Sequence, residues 1–111
     1  MCGIAGYINF DKNLDQILQK SLYHRGPDKQ TSYKFDNVNL VHTRLSIQDI
    51  KNGNQPFELK NFVLVFNGEI YNHMELRKVY LKNSNFVSHS DAETLVHLFE
   101  KYNTAMLDLL D

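Results

Sequence analysis

The chain is poor in residues that stabilise a protein by covalent or rigid means, with one cysteine, two prolines and no tryptophan in 111 residues. One cysteine cannot form an internal disulfide, which is typical of proteins from a reducing cytoplasm. No stretch approaches the roughly 20 apolar residues that a membrane-spanning helix needs. The start of the sequence also lacks the basic segment of a signal peptide. We therefore expect a cytoplasmic protein that folds around an ordinary hydrophobic core.

An excess of either charge is missing as well. Twelve basic and 13 acidic residues give a net charge of −1, and without a basic cluster we expect neither nucleic acid nor a membrane as partner. The five histidines show no zinc spacing, so we expect no metal site. What is present, 42% hydrophobic and 23% charged residues, is typical of one globular domain or part of one.

The hydrophobic pattern predicts a mixture of strands and helices, and therefore an α+β protein with sheets covered by helices. The predicted strands are 3–10, 31–35, 39–45 and 62–66, the last buried on both faces, with a further extended piece at 46–50. Strands 31–35 and 39–45 are predicted to form a hairpin across residues 36–38. Helices are predicted after caps at Asn13, Asn72 and Ser90, the last in a capping box with Glu93. The apolar stripes of the first two helices include Ile17 and Val79. The apolar end of the sequence predicts an unpaired face and a domain cut short.

Cys2 is the first candidate for chemistry. Removal of Met1 would leave a thiol and a free α-amine on this one residue. The amine has an ordinary pKa of about 7.7–8.0, close to the pH at which a general base is most effective. A thiolate can divide amide cleavage into two easier steps. Cys2 could instead be incidental, and a pairing with one of the histidines stays open because no motif selects which.

Polar groups elsewhere would suit a small zwitterion that carries a side-chain amide. Arg44 lies in an apolar segment and needs a carboxylate, from either a ligand or a structural salt bridge. Asp91 could hold an ammonium group, although the helix dipole also favours an acid there. Asn67 and Gly68 could stabilise a developing negative charge, where one donor is typically worth ~10²–10³ in rate. A tight hairpin turn is the alternative for this pair.

Five short motifs carry these residues in order along the chain. They are MCGIAG at 1–6, HRGPD at 24–28, RLSIQD at 44–49, NGEIYN at 67–72 and SDAE at 90–93. Together they resemble the class II glutamine amidotransferases, and within these the glutaminase domain of the glutamine-hydrolysing asparagine synthetases. Arg25 and Gly26, in the second motif, suit a helix end and a positioning loop equally well.

The resemblance implies an N-terminal-nucleophile fold, an αββα sandwich of antiparallel sheets, which we expect to be incomplete in this chain. It implies that Cys2 is the nucleophile, that its α-amine is the base, and that Asn67 and Gly68 form the oxyanion hole. Glutamine would be hydrolysed to glutamate and ammonia through a γ-glutamyl thioester on Cys2. No cofactor is implied for this step.

The resemblance also assigns the substrate contacts and the wider organisation. Arg44 would bind the α-carboxylate of glutamine and Asp91 its α-ammonium, with Glu69 beside the substrate. Residues 1–111 would be the N-terminal portion of the glutaminase domain, and the synthetase domain, which uses ATP and Mg²⁺, is absent from them. The expected partner is such a domain, or a chain that supplies the missing strands. Two alternatives stay open, an inactive fragment or split-domain binding partner and a related hydrolase for another amide.

Overall fold

The computed structural model describes residues 1–9, 12–47 and 49–111. In chain order its elements are β1 (Gly3–Ile8), α1 (Asp15–Leu22), β2 (Lys29–Phe35), β3 (Val38–Arg44), β4 (Phe57–Leu59), β5 (Phe62–Leu64), α2 (His73–Tyr80), α3 (Asp91–Tyr102) and a 3₁₀ helix (Asn103–Leu109). Both sheets are antiparallel, so the predicted α+β class is confirmed. The end of the first predicted strand, Phe10, and Gln48 in the predicted extended piece lie outside the described residues.

The larger sheet has the order β1–β3–β2, with β3 at its centre. The hairpin predicted from strands 31–35 and 39–45 is confirmed as β2 and β3, and only Asp36 and Asn37 separate these strands. Gly3 lets α1 approach this sheet, because a Cβ there would lie 2.6 Å from Thr43 Oγ1 and 3.0 Å from Leu22 Cβ. The Thr43 hydroxyl donates to the Leu22 carbonyl at 3.0 Å. The start of β1 and the end of β3 are thus packed under the end of α1.

The smaller sheet pairs β4 with β5, and β4 was not predicted. The predicted strand 62–66 is shorter than expected, and its residues are half-buried rather than buried on both faces. The reason is that β5 has one strand neighbour, and α3 packs against both strands. Of the predicted extended piece at 46–50, the described residues form no strand.

The main hydrophobic core lies between β5, α2, α3 and the 3₁₀ helix. Its buried members are Ile70, Leu76, Leu81, Leu95, Leu98 and Met106.

 The Leu95 side chain, on α3, is 7% exposed and faces this core. The expectation of an unpaired apolar end is wrong, because Met106 is buried in this core and Leu110 packs against the core. Ile17 and Val79, predicted in the buried stripes, are exposed. No helix among the described residues is long and apolar enough to cross a membrane.

The helix caps agree with the prediction in part. Ser90 caps α3 as predicted, and its Oγ accepts from the Ala92 N–H at 3.2 Å. The cap position of α1 is Leu14 rather than the predicted Asn13, whose Oδ1 accepts from the Asp15 N–H at 2.8 Å. Asn72 precedes α2 as predicted, but its side chain bonds the backbone of residues 109 and 111 instead of the helix. The capping box is wrong in its second half, because the Glu93 carboxylate accepts from residues 87 and 88.

Candidate functional site

A cavity of about 110 Å³ brings together most of the residues singled out in the sequence. The predicted site residues that line it are Cys2, Arg44, Asn67, Gly68, Glu69 and Asp91, and Met1 lines it as well. They come from the start of β1, the end of β3, the segment after β5 and the first turn of α3. Arg25 and Gly26 are not among the described residues that line the cavity.

Cys2 is half-buried at the beginning of β1. The Leu45 N–H donates to its Sγ at 3.4 Å, and the thiol donates to the Leu45 carbonyl at 3.7 Å. These contacts follow from the pairing of β1 with β3, in which Gly3 is opposite Thr43. In the described part of the chain, no imidazole lies within hydrogen-bonding distance of the thiol, so the geometry gives a cysteine–histidine pair no support.

The loop after α1 holds the backbone around Cys2 and Arg44. Arg25 Nε–H donates to the Cys2 carbonyl at 3.0 Å. A Cβ on Gly26 would lie 2.2 Å from the Thr43 carbonyl oxygen and 2.5 Å from the Arg44 nitrogen. The Asp28 N–H donates to the Arg44 carbonyl at 3.0 Å. The loop therefore ends the helix and also braces the two strand ends that present the candidate site.

Arg44 is 5% exposed, and its guanidinium is held by the loop that follows β3. It donates to the Asp49 carbonyl at 2.7 Å, the Ile50 carbonyl at 3.1 Å and Asn54 Oδ1 at 2.9 Å. These three acceptors are neutral oxygens. Several hydrogen bonds from one loop fix the orientation of the guanidinium plane at the cavity wall.

The Asp49 carboxylate joins this loop to the segment before α3. Its two oxygens accept from the Asn52 N–H at 3.1 Å and the His89 N–H at 2.8 Å. These backbone donors, led by His89, lower the pKa of Asp49. Sequence reasoning missed both this contact and the role of Asn54, because the only signal in 51–56 was loop composition.

Asn67 and Gly68 lie between β5 and α2. The hairpin alternative is wrong, because the next regular element is a helix. The N–H of Phe66, just before this turn, donates to Gln55 Oε1. Gln55 also lines the cavity, and the sequence analysis did not identify it. A Cβ on Gly68 would lie 2.6 Å from the Phe66 ring, so a side chain at this position would force that ring to move.

Asp91 is the first residue of α3 and is 7% exposed. Its carboxylate accepts from the Ala92 N–H at 2.8 Å and from the Ile70 N–H at 3.0 Å. The second bond ties it to the segment that contains Asn67. Burial, followed by the negative charge of Asp91, raises the pKa of Glu69.

His42 is a buried titratable group on the central strand, and it does not line the cavity among the described residues. Burial, reinforced by the positive charge of Arg44, lowers its pKa to about 4. In the described part of the protein neither ring nitrogen makes a hydrogen bond of good geometry, but the nearby Phe66 backbone opposes the lowering of the His42 pKa. Within the same residues, no three acidic, histidine or cysteine side chains are grouped so that they could hold a metal ion.

Comparison with known proteins identifies the family. A glutamine amidotransferase domain model matches residues 1–111. Glutamine-hydrolysing asparagine synthetase 1 of Arabidopsis thaliana is 41% identical over the whole chain, and asparagine synthetase 2 of Oryza sativa subsp. japonica is 44% identical over the whole chain. Asparagine synthetase B of Escherichia coli (strain K12) is 38% identical over 97% of the chain.

The chain spans about one fifth of the length of these relatives, from 20% to 21%. The match nevertheless covers all five motifs on which the resemblance was based, because it extends over every residue of the chain. The predicted family is therefore confirmed, and the chain belongs to the glutamine amidotransferase domain family.

Proposed function

We propose that this chain hydrolyses the side-chain amide of glutamine to glutamate and ammonia, with Cys2 as nucleophile. The observation that carries the proposal is that a thiol, a guanidinium, a carboxylate and an Asn-Gly turn all line the same cavity. Arg44 and Asp91 offer the two opposite charges that bind the α-carboxylate and α-ammonium of a free amino acid. Glu69, also at the cavity, would lie beside the substrate.

In the proposed mechanism, removal of Met1 frees the α-amine of Cys2, which takes the thiol proton as the sulfur attacks the amide carbon of glutamine. The carbonyl oxygen becomes an oxyanion and accepts hydrogen bonds from the Asn67 side-chain amide and the Gly68 N–H. The amine then returns the proton to the leaving nitrogen, the C–N bond breaks and ammonia departs. Water attacks the resulting thioester, which releases glutamate and restores the thiol.

Arg25 and Gly26 would act in this mechanism as positioning residues. Arg25 holds the Cys2 carbonyl, and Gly26 lies against the backbone of Thr43 and Arg44. The Leu45 N–H, at 3.4 Å from the sulfur, would help to hold the Cys2 side chain in place. No cofactor takes part in these steps.

We further propose that the two sheets form an αββα sandwich of the N-terminal-nucleophile type. In support, α1 packs on the larger sheet and α3 on the smaller one. A cavity between the sheets is lined from one side by Tyr33 and Leu40 and from the other by Val63. The Thr31 hydroxyl donates to the Gln55 carbonyl, which joins the β2 side to the loop before β4.

The relatives are named as asparagine synthetases, and we propose that the ammonia released here serves such a synthesis. Residues 1–111 would then be the N-terminal portion of a glutaminase domain. The ATP- and Mg²⁺-dependent synthetase activity would reside in another domain or in a partner chain.

The central test compares a chain that begins at Cys2, released from a fusion by a protease, with the same chain retaining Met1. The first should release glutamate from glutamine and react with an electrophilic glutamine analogue at Cys2, as located by peptide mass spectrometry. The Met1-retaining chain and Cys2→Ala should do neither, because the first lacks the free amine on Cys2 and the second lacks the thiol. Labelling that persists in Cys2→Ala would refute the proposed nucleophile.

A further inference from the structure

Arg77, on α2, is a buried cation that is not among the described residues lining the candidate site. Its Nε–H donates to Thr94 Oγ1 at 2.6 Å. Its two terminal nitrogens donate to the Ser88 carbonyl at 2.7 Å and the Ser90 carbonyl at 2.6 Å. The Phe86 ring covers the guanidinium at 4.0 Å. Its three hydrogen-bond acceptors lie in the segment before α3 and in the first turn of that helix.

Glu93 holds the same segment through its backbone N–H groups. The carboxylate is 1% exposed and accepts from the Val87 N–H at 2.8 Å, the Ser88 N–H at 2.7 Å and the Ser88 hydroxyl at 2.6 Å. Its Oε2 lies 3.8 Å from an Arg77 nitrogen. In this buried site the two opposite charges compensate each other. Arg77 holds carbonyl groups of the segment, and Glu93 holds its N–H groups.

A helix start of this kind does not need a buried ion pair for its stability. The Ser90 hydroxyl already caps α3, and burying two charges costs desolvation energy that an apolar pair would not. What the pair adds is a fixed backbone position for residues 87–90, which lead into Asp91. Because Arg77 projects from the helix that follows Asn67 and Gly68, it also ties Asp91 to that turn.

We propose that Arg77 and Glu93 are positioning residues that fix the Asp91 carboxylate relative to the Asn67–Gly68 turn. They thereby set the requirement for an α-ammonium group on the substrate. This inference rests on the proposed function, in which Asp91 binds that group. Arg77 acts through the backbone of residues 88–90 and does not touch the substrate.

The test compares Arg77→Lys and Ser88→Ala with Lys78→Ala, a control at an exposed neighbour on the same helix. Lysine keeps the charge but lacks the planar fork that reaches three acceptors. The substrates are glutamine and glutaramate, which lacks the α-amino group. In Arg77→Lys we expect the preference for glutamine to fall about tenfold through KM, with glutaramate turnover unchanged. An equal loss for both substrates, or an unchanged preference, would overturn the proposal.

Amide hydrogen exchange gives a second readout that does not depend on activity. The Ile70 N–H donates to Asp91 Oδ2, so Arg77→Lys and Ser88→Ala should speed its exchange about tenfold and leave that of Leu98, inside α3, unchanged. Equal acceleration at both amides would show that Arg77 only stabilises the fold, which contradicts the proposal.

The two readouts separate the two hypotheses. If the wild type does not hydrolyse glutamine, the proposed function fails, and the Ile70 exchange rate still decides whether Arg77 fixes Asp91. If Arg77→Lys does not fold, Ser88→Ala carries the same comparison, because it removes one hydroxyl from the segment that Arg77 and Glu93 hold.

Discussion

Replacing Gly26 by alanine should damage the candidate site without changing any residue that lines it. The new Cβ would stand 2.2 Å from the Thr43 carbonyl oxygen, 2.3 Å from the carbonyl carbon and 2.5 Å from the Arg44 nitrogen. To reach even 3.0 Å from the oxygen it must retreat by 3.0 − 2.2 = 0.8 Å. All three atoms are backbone atoms of the central strand, so no side-chain rotation can make the room.

Such overpacking typically costs about 1–3 kcal/mol, and we expect a loss of unfolding free energy near the upper end. The displaced loop also carries Arg25, which holds the Cys2 carbonyl. A shift of about 1 Å in a catalytic group can cost roughly 10²-fold in rate, so kcat/KM for glutamine should fall by about 10- to 100-fold.

The measurements are urea unfolding followed by circular dichroism, and glutamate release by the chain that begins at Cys2. Gly6→Ala is the matched control, since its Cβ would meet nothing nearer than the Asn39 carbonyl oxygen at 3.0 Å. It should lose much less stability and keep its activity. If Gly26→Ala unfolds and turns over glutamine like Gly6→Ala, the claim that this loop braces the site is refuted.

Two further predictions concern single side chains. Asn67→Ala should lower kcat for glutamine by about 10²–10³-fold with a smaller change in KM, because it removes an oxyanion donor; unchanged kcat would return Asn67 to a turn-forming role. For His42, whose pKa falls from 6.5 to about 4 on burial, the unfolded chain takes up the proton at a higher pH than the folded chain. Wild-type stability should therefore be full above about pH 6.5 and fall towards pH 4 by up to about 3 kcal/mol more than that of His42→Leu. Equal pH dependence in urea unfolding would contradict this.

The sequence predicted the elements whose signals are local. The stripe behind Ser90 predicted α3, and the two strand-like runs on either side of residues 36–38 predicted the β2–β3 hairpin. It did not predict β4, three residues long, because that strand is defined by its pairing with β5. Nor could periodicity show that Ile17 would be exposed, since a helix stripe does not reveal how much of it a neighbouring element covers.

The predictions for the site differ in the same way. Cys2, Arg44 and Asp91 stood out because each places reactive or charged chemistry at an unusual position, and the structure brings them to one cavity. Gln55 and the Leu45 N–H, which contact the turn and the thiol, gave no signal in the sequence. Backbone donors carry no residue-type signature, so only the tertiary arrangement could reveal them.

The two halves of the candidate site are attached to different sheets, so the proposed chemistry needs both sheets in place. Cys2 and Arg44 lie at one end of neighbouring strands of the larger sheet, whereas Asn67 follows the smaller sheet and Asp91 begins the helix that covers it. An oxyanion donor is effective only within about 2.7–3.1 Å of the oxygen it stabilises. The distance between the sheets therefore sets whether the thiol and the Asn-Gly turn can act on the same carbonyl. The contacts of Gln55 with Thr31 and Phe66 would thus matter to the proposed catalytic geometry as much as the residues that would touch glutamine.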